Sequence, residues 1–386
     1  MSTSLKKEDF LDAKGEVNLT QDEIEVLRNK YDIETILKVL GEVVDTLPFP
    51  YTEYTPQEVR SDWNALQNSH LEVVEGVWES HRLHPDIEVA FKGKQLRLPK
   101  TKNIGGKVSN QYMERLRMAT PHARYKSQSD LWYAERKYWL KYFFNAKMYR
   151  GHMCQSNLKK GLGGQYSCSQ FKPLIAKSLY DSFGARRVLD FSAGWGDRLV
   201  GALASSALSY IGIDPNTKTH PLYHQIESFC GARKQVNLIC SPAEDVDYST
   251  LAYDFVFTSP PYFDLERYSE EDTQSWKRYP KFNDWLENFL FVTLSKVWEG
   301  LGEGGRIAIN ISDIYSKGEV EEVCRPMLRH MESLGATYEG VLGYEMSQRS
   351  SGSVANATLP FCEPIFIWSK GQVEPPCWNP HLFFNF

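Results

Sequence analysis

VLDFSAGWGDRLVGALA, residues 188–204, decides the fold. A short apolar run ends in an acid, a glycine-rich turn follows, and an apolar helical stretch opens directly after it: strand, turn, helix. Gly194 and Gly196 let the backbone pass close to a ligand, where a side chain would collide with it. Asp190 closes the strand, and its carboxylate suits a cationic amino group held directly or through water. Phosphate suits the place less, because Asp190 and Asp197 add negative charge and the full Gly-x-Gly-x-x-Gly spacing is absent. A ligand with a methionine-type ammonium and a sulfonium fits these electrostatics better.

Working outward, the chain from about 186 alternates short apolar strands with helical stretches. The strands read RRVLDFS, LSYIGID, VNLIC, YDFVFTS, GRIAINIS, TYEGVLGYE and EPIFIWS. Seven strands with helices between the first five predict a doubly wound α/β sheet. A loop, not a helix, joins the last two, so the final strand is expected to run antiparallel. The second strand ends in IGIDPN, which puts Asp214 where it accepts hydrogen bonds from two ribose hydroxyls, with Asn216 beside it. The third leads to CSPAEDVD, whose Glu244 or Asp245 could accept from an adenine amino group. Three acidic strand ends at one edge form a pocket. The competing reading for each acid is a helix-capping or surface role.

The fourth strand leaves through TSPPY, residues 258–262. Two consecutive prolines donate no backbone hydrogen bond and hold an extended path, while their carbonyls stay available as acceptors. An exocyclic base amine needs two acceptors to orient its hydrogens and turn its lone pair toward a methyl donor. Ser259 and the Pro260 carbonyl supply them, Pro261 stiffens the turn, and Tyr262 is placed to stack on an extruded base. No cysteine lies in this motif, which argues against a covalent route. Neither a strong general base nor a metal is required.

Here the chain resembles the amino-methylating nucleic-acid methyltransferases, the cytosine-N4 and adenine-N6 class, over residues 165–370. TSPPY matches that family's catalytic motif, and the serine form looks more like its cytosine-N4 branch. DFSAGWGD, 190–197, keeps Asp190, Gly194 and Gly196 of the family's glycine motif but lacks its proline and terminal threonine. The resemblance implies a Rossmann-like seven-stranded class I methyltransferase sheet with S-adenosyl-L-methionine as cofactor. On the same loop Ser192 is a candidate cofactor contact and Trp195, a departure from the family's motif, would cover the cofactor; QFKPLIAKSLYDSF, 170–183, resembles the element over the methionine end, with Phe171 and Pro173 as contacts. The resemblance also implies a DNA substrate, with RNA as the nearest alternative and a non-catalytic binding module as a third reading.

Charge divides the rest of the chain. Residues 1–90 hold 8 Lys/Arg against 19 Asp/Glu; residues 91–160 hold 17 against 3. A polyanion feels the local field of the second segment more than the net −5 of the whole. This suggests an acidic, mainly helical region at 1–90, a basic aromatic nucleic-acid-binding extension at 91–164, the catalytic domain at 165–370 and a tail at 371–386. TQDE, 20–23, reads as a capping box, with a second helix expected over 57–79. Arg136, Lys137, Lys141 and Lys147 are candidates for phosphate, while Trp132, Tyr133, Tyr138, Trp139 and Phe143 face inward or take a base. The alternative is that the basic segment pairs with the acidic one. Residues 264–285 read as a loop that orders over substrate, and Arg349, Ser350 and Ser351 as candidates on the same edge, with Asp313 and Lys317 weaker.

Seven cysteines without a Cys-x-x-Cys pair argue against structural zinc or a disulfide framework. No apolar run approaches a membrane span, so no membrane partner is expected, and the compartment expected is cytoplasm, or nucleus in a eukaryote. Monomer and dimer both stay open.

Overall fold

The computed structural model describes residues 4–80, 82–121, 126–134, 136–148, 151–162, 168–231, 233–316, 319–346 and 359–378. The chain divides into two compact units, residues 1–53 with 114–169 and residues 54–113 with 170–386. This division departs from the charge boundaries at 90 and 164, because part of 54–113 joins the large sheet.

In the first unit the capping box forms as read. Thr20 Oγ1 accepts from the Glu23 N–H at 3.3 Å, and the Glu23 carboxylate accepts from the Thr20 N–H at 2.8 Å. It starts the helix Gln21–Lys30, and Asp32 caps a second helix, Ile33–Val44. The aromatic helices Gln128–Ala134 and Arg136–Asn145 turn their rings inward. Trp132 and Trp139 stack with centroids 5.0 Å apart, and Phe143 is buried with them. Tyr133 and Tyr138 stay 47% and 77% exposed. The inward reading therefore holds for three of the five candidate rings.

The second unit is built on a nine-stranded sheet. Its strands are β1 (Val74–Glu75), β2 (Leu96–Leu98), β3 (Arg187–Asp190), β4 (Ser209–Ile213), β5 (Gln235–Ile239), β6 (Phe255–Thr258), β7 (Arg306–Asn310), β8 (Thr337–Glu345) and β9 (Cys362–Ser369). Their spatial order is β1-β2-β8-β9-β7-β6-β3-β4-β5. Strands β5, β4, β3, β6 and β7 run parallel, while β9 lies antiparallel to both β7 and β8. This is the Rossmann-like doubly wound sheet expected from the sequence, antiparallel final strand included, with β1 and β2 added to the seven strands read there. Buried runs such as FVFT and RIAIN mark its central strands, covered on both faces.

Two expectations change. The helix expected over 57–79 is Pro56–Gln67 and ends at Asn68, and the β-branched stretch beyond it provides β1 instead. Before β2, residues 91–94 form a tight turn closed by an antiparallel bridge between Phe91 and Lys94, with Lys92 and Gly93 at positive φ. Between β5 and β6 there is no long crossover helix. Two short 3-10 turns, Ala243–Asp245 and Tyr248–Thr250, make the connection. Pro242 and the local Asp247–Ser249 bonds favour turns there. Helices Asp197–Ala204, His220–Cys230, Val292–Gly300 and Cys324–Ser333 make the other connections, and Pro173–Ser182 precedes β3.

The strand order reverses between β3 and β6. In open α/β sheets a crevice opens outside the carboxyl ends of the strands at such a point, so the residues after Asp190 and Thr258 border it. Among the described residues no helix is long and apolar enough to cross a membrane.

Candidate active site

Gly194 and Gly196 carry φ of +60° and +78°, the left-handed region that glycine enters without a Cβ clash. At Gly196 a Cβ would also come within 2.8 Å of Ile226 Cδ1. The turn is held from the neighbouring strand, since the Gly194 N–H donates to Asp214 Oδ2 at 2.8 Å. Asp214 Oδ1 accepts from the Asn216 N–H at 2.9 Å, and Tyr223 donates its hydroxyl to the Gly194 carbonyl. Burial raises the Asp214 carboxyl to about 6, against these backbone donors. Each of its oxygens retains a further lone-pair direction for a hydroxyl donor.

Asp190 has a different task from the one read for it. It is fully buried and accepts from Arg198 Nε at 2.8 Å, Arg198 Nη2 at 3.3 Å and the Tyr210 hydroxyl at 2.8 Å. The Ser192 N–H donates to it at 3.3 Å, and Arg198 also donates to the Ser192 carbonyl. An ion pair this enclosed is a structural rivet under the glycine turn, and it leaves no carboxylate facing an ammonium ion. Asp197 is likewise turned inward, accepting from Ser109 Oγ at 2.5 Å. The sequence carries a signal for this arrangement: after Asp197, one arginine in the otherwise apolar run RLVGALA, 198–204, calls for a buried partner.

Glu244 and Asp245 follow β5, in the Ala243–Asp245 turn, and both are engaged. Arg278 Nη1 lies 2.7 Å from Glu244 Oε1 and 2.8 Å from Asp245 Oδ2, and its Nη2 lies 3.1 Å from Asp245 Oδ1. Burial raises the Glu244 carboxyl, and the Arg278 charge opposes that. Arg278 belongs to the segment expected over substrate. That segment instead crosses the β3–β5 side in chain order. The Tyr268 ring meets the Trp195 ring edge-on at 5.6 Å, after β3. Glu271 accepts from the Thr217 N–H at 3.1 Å and Thr273 donates to the Pro215 carbonyl at 3.3 Å, after β4. Arg278 then completes the crossing after β5. No local sequence signal pairs these residues.

Phe171 packs on Phe257 and Tyr344, each at 5.4 Å, and the buried Pro173 opens the following helix. Trp195 is 6% exposed, and among the described residues its Nε1 has no hydrogen-bond partner. A buried N–H without an acceptor is costly in a finished interior. With the open glycine turn and Asp214, it fits a site completed by a polar adenosyl ligand.

At the end of β6 the pattern reverses. Among the described residues nothing hydrogen-bonds the Ser259 hydroxyl or the Pro260 carbonyl. Thr258 Oγ1 is buried without a partner. Beyond them Tyr262 forms an inverse γ-turn at φ −82° and ψ 69°, with the Phe263 N–H donating to the Pro261 carbonyl at 3.0 Å. Phe263 follows at φ +48°, a strained position held by its ring against Phe282 and Trp285. The Tyr262 N–H donates to Glu266 at 3.1 Å. Burial pushes the Tyr262 phenol well above its ordinary value, so it stays a neutral hydroxyl, 3.5 Å from Ser312 Oγ.

Of the other candidates, Asp313 is structural: its Oδ1 accepts from the Val323 and Cys324 N–H groups at 2.8 and 2.9 Å, capping the helix Cys324–Ser333. Arg349, Ser350, Ser351 and Lys317 lie outside the described residues. In the first unit Arg136 pairs with Asp45, while Lys137 and Lys141 reach Glu34 at 3.3 and 3.6 Å. The pairing of basic and acidic segments allowed by the sequence is thus what these three side chains do. Lys147 is exposed with φ +50°.

No family model matches the chain, and no curated protein matches it. Solved structures with a related backbone include TrmN from Thermus thermophilus, 16% identical over 52% of this chain and 49% of that one, at a TM-score of 0.35. An rRNA methylase from Streptococcus thermophilus is 13% identical over 53% of this chain and all of that one, with a TM-score of 0.33. A putative RNA methyltransferase from Pyrococcus horikoshii is 16% identical over 52% and 81%, with a TM-score of 0.33. The matched region spans about half of the Thermus thermophilus protein. At such scores the chemistry is read from this chain's own residues.

Proposed function

We propose that this chain is an S-adenosylmethionine-dependent methyltransferase acting on the exocyclic amine of a nucleic-acid base, cytosine N4 in DNA foremost. The observation that carries the reading is the pair of open acceptors, the Ser259 hydroxyl and the Pro260 carbonyl, at the strand end beside the glycine turn. The cofactor supplies an electrophilic methyl group on a sulfonium. Ser259 and Pro260 accept the two amine hydrogens and so direct the nitrogen lone pair, which gains the carbon as the carbon–sulfur bond breaks. The nitrogen becomes cationic and then releases a proton to water, so no strong base is needed. Tyr262 holds the base plane, and the rate comes from positioning and from acceptors matched to the developing charge.

The test is digestion and mass spectrometry of DNA and of RNA after incubation with the full chain and methyl-labelled cofactor. Label in N4-methylcytosine from DNA is the expected result. Label in N6-methyladenine would keep the mechanism and change the base, and label only in RNA would change the polymer. No label in either, with cofactor binding demonstrated, would overturn the nucleic-acid reading.

A further inference from the structure

We infer that Arg278 is a positioning residue for the adenosine end of the cofactor, acting through the two carboxylates of the turn after β5 and through the segment that carries it. The inference rests on the cofactor reading above and adds a residue that the glycine turn and the SPPY motif do not contain.

The segment from Tyr268 to Arg278 makes one contact set with each loop after β3, β4 and β5, in the order in which it reaches them. Its last contact is the strongest in kind, because a guanidinium spans two carboxylates with three short hydrogen bonds. Glu244 and Asp245 adjoin in sequence, and Glu244 is buried. Without a cation between them they would repel, and the buried one would favour its protonated form. Arg278 supplies that cation and fixes the direction of both carboxylates, so that they are held as acceptors for an amino group such as that of adenine. The Glu244 main chain is held as well, since its carbonyl accepts from Lys296 Nζ at 2.6 Å.

A second observation points independently to a ligand beneath this crossing. Among the described residues, Trp195 Nε1 and Gln274 Nε2 are buried donors without partners, each on a residue 6% exposed. One lies on the glycine turn that Tyr268 covers, and the other on the crossing segment itself. Polar hydrogens left open at both places fit a segment that closes on a polar molecule.

The experiment uses the full chain with Arg278→Gln and Arg278→Lys, and S-adenosylhomocysteine as the calorimetric probe. For Arg278→Gln the dissociation constant is expected to rise about tenfold, the loss of a charge-assisted hydrogen bond. Maximal methyl transfer at saturating cofactor should stay within about twofold of wild type, a split that general unfolding does not give. Lysine keeps the charge without the fork and should fall between the two. Limited proteolysis supplies a second reading: the 268–278 segment of Arg278→Gln should be cut faster than in wild type and regain protection with the probe. Unchanged affinity in both variants would overturn the role of Arg278 while leaving the cofactor reading intact. Failure of the wild-type chain to bind the probe would overturn both. If the glutamine variant does not fold, the lysine variant decides by the same criteria.

Discussion

The two halves of one sheet edge treat their polar groups in opposite ways. After β3, β4 and β5 the acids are already in use: Asp190 on Arg198 and Tyr210, Asp214 on the glycine turn, Glu244 and Asp245 on Arg278. After β6 the acceptors of Ser259 and Pro260 are open, and the local backbone is strained at Phe263. Groups already satisfied hold a shape, whereas groups left open wait for a partner. The first half is therefore read as a prebuilt cradle and the second as the place where an amine is gripped.

The sharpest break between the halves is expected at Asp190. Asp190→Asn leaves Arg198 buried without its counter-charge and should cost about 3–5 kcal/mol of stability, measured by denaturant unfolding. A variant that kept full stability and lost only cofactor affinity would return Asp190 to the direct contact role read from the sequence. Gly196→Ala comes next. A positive φ together with the Ile226 contact should cost about 1–3 kcal/mol and weaken cofactor binding with it.

Asp214 sharpens the comparison through pH. Its carboxyl is raised to about 6 in the folded chain, so the stability linked to this group is fullest below the ordinary carboxylate range and is lost as pH rises through 6. A ligand that donates hydroxyls prefers the ionised form, so cofactor affinity should move the other way, tightening by up to about tenfold per pH unit as pH rises toward 6 and levelling above it. Calorimetry across pH 5–7 checks this, and Asp214→Asn should flatten the profile. A profile equally steep in that variant would assign the titration elsewhere. The smallest effect belongs to the first unit: Lys137→Ala and Lys141→Ala should each change stability by under about 0.5 kcal/mol, because their bridges to Glu34 are exposed.

The sheet was legible because its information is local. FVFT and RIAIN read as buried strands by themselves, GWG reads as a turn, and a loop too short for a helix reads as an antiparallel return. The capping box at Thr20 and the open strand end at Ser259 were legible for the same reason. What could not be read was which acid meets which base across the fold. Asp190 and Asp214 look alike as strand-end acids, and only packing shows that one is closed off by Arg198 while the other braces Gly194. The crossing of β3–β5 by residues 268–278 depends on contacts such as Arg278 to Asp245, 33 residues apart, which no periodicity encodes. The pairing of Lys137 with Glu34 was foreseen only as one of two options, since like patterns of charge serve a phosphate or a neighbouring helix.

The most direct test of the two-halves reading is Ser259→Ala, with cofactor affinity by calorimetry and methyl transfer to nucleic acid measured on the same preparation. Affinity is expected within about twofold of wild type, and single-turnover transfer is expected to fall about a hundredfold, as for loss of one group aimed at developing charge. Transfer at the wild-type rate would contradict the reading of the β6 end as the place where the amine is held.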